Sequence, residues 1–122
     1  MTMSIHVKRV YDLAAPDDGA RVLVDRIWPR GISKDAAKLA LWLKDIAPTT
    51  PLRKWFGHDP ARWTEFRRRY HLELDANPDA VGQLRELMKK RHVTLVYGAH
   101  DQEHNQAVAL VEYLGGHGSV RR

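Results

Sequence analysis

The chain has 122 residues, 43% of them hydrophobic and four of them Trp, which is enough apolar material for the core of one domain and too little for two. Its formal charge is +5 and it contains no cysteine, so disulfides, thiolate metal sites and thiol nucleophiles are excluded, whereas nucleic acid, acidic lipid and small anions stay open as partners. There is no apolar run of roughly eighteen residues, and the stretch MTMSIHVKRVYD has no apolar segment of the kind a secretory leader carries, so a cytoplasmic protein without a membrane span is expected.

Ile5–Val10 alternates apolar and polar side chains as a half-buried or edge strand does, and the PDDG sequence at Pro16–Gly19 reads as a turn. Val22, Leu23 and Val24 form a continuous apolar run, the pattern of a strand covered on both faces, ending near Asp25–Ile27. Ser33 can cap a short helix through about Lys38, and the ambiguous Leu39–Leu43 segment is read as a third strand. Thr50-Pro51, Asp59-Pro60 and Asn77-Pro78 each place a capping-type residue before a proline suited to a first helical turn, which predicts helices over about 51–56, 60–75 and 78–91. Trp63, Phe66, Tyr70 and Leu74 fall on one face of the middle helix, as a core stripe. Val93–Tyr97 is a second buried strand, and Gly98–Asp101 leads into a final helix of about 103–114 that buries Val108, Val111 and Leu114. Strands interleaved with helices predict an α/β three-layer sandwich, a small, mostly parallel sheet flanked by helices. The expected domain spans 1–116, and the basic tail at 117–122 is expected to be disordered. Setting aside Arg121 and Arg122 lowers the charge from +5 to +3, which a solvated basic surface would explain.

Four polar constellations sit where chemistry is expected. Asp25-Arg26-Ile27-Trp28-Pro29-Arg30-Gly31 emerges from a buried strand, and in open α/β sheets ligands bind at the carboxyl ends of strands. Asp25 there can act as a base or orient a cation, and Arg26 and Arg30 can hold an anion bidentately; an Asp–Arg ion pair that fixes the loop is the structural alternative. In Trp55-Phe56-Gly57-His58-Asp59, Asp59 is explained as a helix cap, while His58 is either a general acid or base or a solvated loop residue. Arg67 lies beside the aromatic stripe and needs an anionic partner, either an internal carboxylate or a ligand. Tyr97-Gly98-Ala99-His100-Asp101-Gln102-Glu103-His104-Asn105 turns from a buried strand into a helix N-terminus, which favours an anion, but without a nucleotide-binding glycine pattern. His100, Asp101, Glu103 and His104 have no third ligand at a recognised metal spacing, so no metal is expected.

The stretches RVLVDRIWPRG, LWLKDIAPTTPLRKWFGHDP, WTEFRRRY and TLVYGAHDQEHNQAVAL resemble the YeaO-like branch of the bacterial proteins grouped as domain of unknown function 488, from about Val7 to Leu114. The resemblance implies a compact bacterial α/β domain and brings no established activity or residue roles. The regulator label attached to some members finds no helix-turn-helix here. By motif match it carries over Asp25, Arg26, Trp28, Pro29, Arg30 and Gly31, then Trp55, His58 and Asp59, then Arg67 and Tyr70, and finally His104 and Asn105. Longer relatives tend to have Cys at the end of the last strand and a Cys-His-Arg run in the following helix. This chain has Tyr97 and His104-Asn105-Gln106 there, so thiol chemistry does not transfer. YeaO-like proteins also often carry Lys where this chain has His100, which replaces a fixed charge by a titratable one.

The residues together predict a protein that binds, and if it has a reaction acts on, a small anionic ligand, a phosphate-bearing one included, at the carboxyl edge of the sheet. Asp25 and His58 are the candidates for proton transfer, and Arg26, Trp28, Arg30, Gly31, Trp55, Arg67, Tyr70, Tyr97, His104 and Asn105 for ligand binding, with no cofactor. This reading expects Arg26, Arg30 and Arg67 to converge in one pocket. An interaction module, whose polar constellation only holds the fold, is the first alternative. A nucleic-acid-binding protein using Arg62, Arg68, Arg69, Lys89, Lys90 and Arg91 is the second.

Overall fold

The computed structural model describes residues 5–115, and the expected disordered tail at 117–122 lies outside the described residues. Four strands, β1 (Ile5–Arg9), β2 (Ala20–Leu23), β3 (Leu41–Trp42) and β4 (Val93–Tyr97), form one sheet in the order β1-β4-β2-β3. Every pairing is parallel, so the sheet expected to be mostly parallel is wholly so. The apolar runs of β2 and β4 occupy the two central positions and are buried throughout, whereas β1, with its alternating pattern, and the two-residue β3 form the edges. An inner strand between helices needs apolar side chains on both faces, which is why continuity rather than alternation marks the centre.

The helices are α1 (Lys34–Ala37), α2 (Thr50–Phe56), α3 (Trp63–Asp75), α4 (Pro78–Lys90) and α5 (Gln106–Tyr113). One face of the sheet meets α2 through α5: Val7, Val22, Leu95 and Tyr97 pack there with Leu52, Phe56, Phe66, Tyr70, Leu74, Leu84 and Leu110. Alternation along β4 turns Val96 to the opposite face, where it packs with Val10 and Ala37 under Trp28, Ile32 and Leu39. The sheet is therefore covered on both sides, thickly on one and by a single helical turn and its flanking loops on the other. Among the described residues no helix is long and apolar enough to cross a membrane.

Local hydrogen bonds set the helix boundaries and shift three of them from the sequence expectation. Ser33 caps α1 as expected, its hydroxyl accepting from the Ala36 N–H at 3.0 Å. The cap of α2 is Thr49 rather than Thr50; its hydroxyl accepts from the Leu52 N–H and donates to Glu73 Oε2 at 2.6 Å. Asp59 accepts from the Ala61 N–H at 3.0 Å, but the turn it opens at Pro60–Arg62 is 3-10 in character before α3 begins. Asn77 makes no side-chain cap to α4 and instead donates from Nδ2 to the Asp45 carbonyl at 2.8 Å. At the last helix Asp101 accepts from the Glu103 and His104 N–H groups, so that turn closes on itself and α5 starts at Gln106, capped by Asn105.

The thinly covered face holds a buried ion pair. Arg21, 3% exposed on β2, donates from Nη1 to Asp18 Oδ2 at 2.7 Å and from Nε to the Ala37 carbonyl at 2.8 Å, and Lys8 approaches Asp18 at 3.2 Å. The Thr94 hydroxyl donates to the Asp18 carbonyl at 2.7 Å, tying the turn to β4. Between them Gly19 runs at φ +66°, and a Cβ there would drive into the His92 carbonyl. Removing the single carboxylate leaves two cations without their counter-charge, so Asp18→Ala is expected to destabilise the fold by about 3 kcal/mol or more, and Asp18→Ala with Arg21→Met by much less. Denaturant unfolding of the two variants checks this; equal losses would show that the pair is not what the single substitution breaks.

Candidate functional site

The carboxyl ends of all four strands open into one pocket of about 790 Å³. Tyr11 follows β1, Asp25–Arg30 follows β2, Ala47 and Pro48 follow β3, and Gly98–Asp101 follows β4; Arg53 and Phe56 of α2, Phe66 of α3 and Gln106 of α5 complete the wall. Asp25 organises this end. Its carbonyl accepts from the Trp42 indole N–H at 2.7 Å, its Oδ2 from the Gly98 N–H at 2.9 Å and its Oδ1 from the Gln106 side-chain amide. Gly98 has to lack a side chain, because a Cβ would lie 2.8 Å from Asp25 Oδ2. Trp28 forms a wall, its indole N–H donating to the Ile32 carbonyl at 2.7 Å and its ring edge-on to Trp42 at 5.3 Å. The Tyr11 hydroxyl donates to the Arg30 carbonyl at 2.8 Å, which pins the loop while leaving the Arg30 side chain at the mouth.

The charges around this pocket are unequally satisfied. Burial pushes the Asp25 carboxyl up to about 6, against the lowering effects of the Gly98 and Gln106 hydrogen bonds and of the Arg53 charge. Among the described residues Asp25 has no ion-pair partner within 4.0 Å. Arg26 is committed: its Nε donates to the Pro48 carbonyl at 3.1 Å and its Nη2 to the Ala47 carbonyl at 2.9 Å, which docks the loop after β3. Arg30 and Arg53 are exposed and line the pocket, and neither guanidinium makes a hydrogen bond or ion pair to a described residue. His58 and His100 also line it; His58 is held at φ +57° directly after Gly57, and His100 Nδ1 lies 3.4 Å from Arg9 Nη2.

Of the residues singled out from sequence, the pocket brings together Asp25, Arg26, Trp28, Pro29, Arg30, His58, His100, Asp101 and Asn105. Asn105 contributes from the wall as a buried cap, accepting from the Val108 N–H at 3.0 Å and donating to the Asp101 carbonyl at 2.9 Å. The others lie elsewhere. Gly31 shapes the turn at φ +79° without lining the pocket. Arg67 does not converge with Arg26 and Arg30; its partner is internal, Glu112 Oε2 at 2.9 Å, and its guanidinium sits over Trp63. Trp55 lies under the guanidinium groups of Arg62 and Arg69, at 5.4 and 4.4 Å from the ring centroid. Tyr70 is wholly buried and donates to the Ile46 carbonyl at 2.7 Å, and Tyr97 is part of the core. His104 pairs with Asp101 Oδ2 at 2.8 Å and meets the Trp63 ring edge-on. Tyr11, Arg53 and Gln106 are the polar pocket residues that sequence reasoning missed, and only Gln106, next to the helix cap Asn105, had a local signal pointing to it.

Part of the outer basic face is paired within itself. Glu65 takes hydrogen bonds from Arg68 at 2.8 Å and Arg69 at 2.7 Å, which hold its carboxyl down at about 2. Arg62 donates to the Trp55 carbonyl and approaches Asp59 at 3.8 Å, and Lys89 pairs with Glu86 at 3.1 Å. Among the described residues no three His, Asp or Glu side chains gather as a metal site would need.

The sequence profile of a family described as the inactive DUF488-N3 subclade matches residues 4–119. The chain is 44% identical over 112 residues to the uncharacterised protein Rv3073c of Mycobacterium tuberculosis, covering 92% of this chain and 94% of that one. The uncharacterised protein Mb3100c of Mycobacterium bovis matches to the same extent. The uncharacterised protein YeaO of Escherichia coli is 42% identical over 112 residues, covering 92% of this chain and 97% of the relative. No solved structure matches the chain.

The position of Asp25 has a consequence for stability. Its folded pKa of about 6 stands above the ordinary value of 3.8, so the folded state binds the proton more tightly and loses stability as pH rises from about 4 through about 6. Asp25→Asn keeps an acceptor for Gly98 while the Gln106 amide can turn to receive the new N–H, and it removes the charge. The variant should match wild type near pH 4 and exceed it by up to about 3 kcal/mol near pH 7.5. Unfolding curves at both pH values check this; an Asn variant that is the weaker one near pH 7.5 would contradict it.

Proposed function

The chain belongs to the DUF488 family, within the subclade described as inactive, and from that premise we propose that it binds a small anionic ligand, phosphate-bearing ligands included, without turning it over. The observation that carries this reading is the pair Arg30 and Arg53, two exposed guanidinium groups lining a pocket of about 790 Å³ and making no hydrogen bond or ion pair to a described residue. Five other described arginines have a carboxylate partner: Arg21 with Asp18, Arg62 with Asp59, Arg67 with Glu112, and Arg68 and Arg69 with Glu65. Planar guanidinium groups match the oxygens of phosphate and carboxylate bidentately, and His58 and His100 flank them. Trp28, Pro29, Phe56 and Phe66 supply the apolar walls expected of a small-molecule site. On this reading Arg30 and Arg53 hold the anion, and neither Asp25 nor His58 transfers a proton.

Titration of the protein with inorganic phosphate and sulfate, followed by tryptophan fluorescence and amide NMR shifts, tests the proposal. Saturation is expected with the largest shifts near Trp28 and Gly98, and Arg30→Ala and Arg53→Ala should each weaken binding about tenfold. Absence of saturation, or binding that survives both substitutions unchanged, would reject the pocket and favour the reading in which Asp25 only ties the strand ends together. A short DNA duplex serves as the control: saturable binding that Arg68 and Arg69 substitutions abolish would point to nucleic acid instead.

A further inference from the structure

The pocket has a second polar end that an anion alone does not use. Asp25, partly buried, marks its inner end, the floor, while the exposed Arg30 and Arg53 mark its mouth, with Trp28, Phe56 and Phe66 among the apolar walls. An ionised carboxylate offers about four acceptor positions. Asp25 uses one on each oxygen, for the Gly98 N–H and the Gln106 amide, and no described cation comes within ion-pair distance of either. Gly98 and Gln106 are both neutral donors, and Arg53, whose charge the carboxyl feels, stays beyond ion-pair distance, so among the described residues no charged group contacts the carboxylate. A buried charge without a counter-ion is costly unless something else enters to meet it.

Building on the anion-binding reading, we propose that the ligand is amphoteric: a cationic, N–H-bearing group, an ammonium or amidinium, donates to Asp25 at the floor while a phosphate or carboxylate group lies at the mouth between Arg30 and Arg53. The order cation, apolar or planar body, anion follows the order floor, wall, mouth of the pocket. This arrangement gives Asp25 a role that a purely structural tie does not need, because joining Gly98 and Gln106 leaves half of its acceptor capacity unused on a residue that lines the pocket. It also defines selectivity. A dianion without an amine would meet the same two arginines but would leave the floor carboxylate uncompensated, and a simple amine would meet the floor and leave the arginines at the mouth.

A length series of ω-aminoalkyl phosphonates and their des-amino alkyl phosphonate counterparts, titrated into the wild-type chain and into Asp25→Asn, tests this. At the best-fitting length the amino compound should bind wild type about tenfold or more tightly than its counterpart, and Asp25→Asn should erase that ratio while leaving alkyl phosphonate binding in place. Arg30→Ala should weaken both compounds alike. In the wild-type chain the side-chain carboxyl ¹³C signal of Asp25 should shift on saturation with the amino compound and much less with its counterpart, a readout that needs no variant to fold. Equal binding of the two compounds at every length would overturn the cationic group and leave the anion site standing. Failure of both to bind would reject the anion site as well, and an amino preference that persists in Asp25→Asn would place the cation elsewhere.

Discussion

The carboxyl end of this sheet is assembled around one residue. Asp25 leaves β2 and, through its carbonyl and two carboxylate oxygens, receives Trp42 of β3, Gly98 after β4 and Gln106 of α5. Parallel strands all end on the same side, so their connecting loops need a common anchor there. A short acidic side chain can supply it because Gly98 leaves room for close approach. The pocket is the space that this convergence leaves open, bounded by the loops that Asp25 and Arg26 dock.

The same economy of charge runs through the rest of the molecule. The thin face of the sheet places Arg21 and Lys8 on one carboxylate, Asp18, and the outer face of α3 turns Arg68 and Arg69 onto Glu65. Arg67, which from the sequence needed an anion, finds Glu112 on the neighbouring α5. Against that background, Arg30, Arg53 and Asp25 share one cavity with no ion pair between them, Arg53 acting on the Asp25 carboxyl only at a distance. Self-compensated charges stabilise the fold, whereas charges left open toward a cavity set what the cavity can hold.

Much of the architecture was legible in the chain because it rests on local patterns. The apolar runs Val22–Val24 and Val93–Tyr97 marked the central strands, and the spacing of Phe66, Tyr70 and Leu74 marked the buried face of α3. Helix starts were legible to within a few residues; the shift of the cap from Thr50 to Thr49 depends on Glu73, more than twenty residues away, and the late start of α5 on the closed turn that Asp101 makes. Within the site, residues at the tip of β2 could be found because charged groups directly after a buried strand have a restricted choice of positions. Trp55, Tyr70, Tyr97 and His104 could not be sorted from them, since an aromatic or histidine near a site looks the same in sequence whether it lines the cavity or packs behind it.

The sequence by itself determined the class of fold, the two central strands, the core stripe of α3 and the placement of Asp25, Trp28 and Arg30 at a strand end, because each follows from periodicity or from residues adjacent in the chain. Only the tertiary structure decided the strand order, the internal partners of Arg26 and Arg67, the entry of Arg53 and Gln106 into the pocket, and the neutral hydrogen-bond donors that meet the Asp25 carboxylate. Those outcomes depend on which groups meet across long stretches of chain, and pairing at a distance has no signature in local sequence.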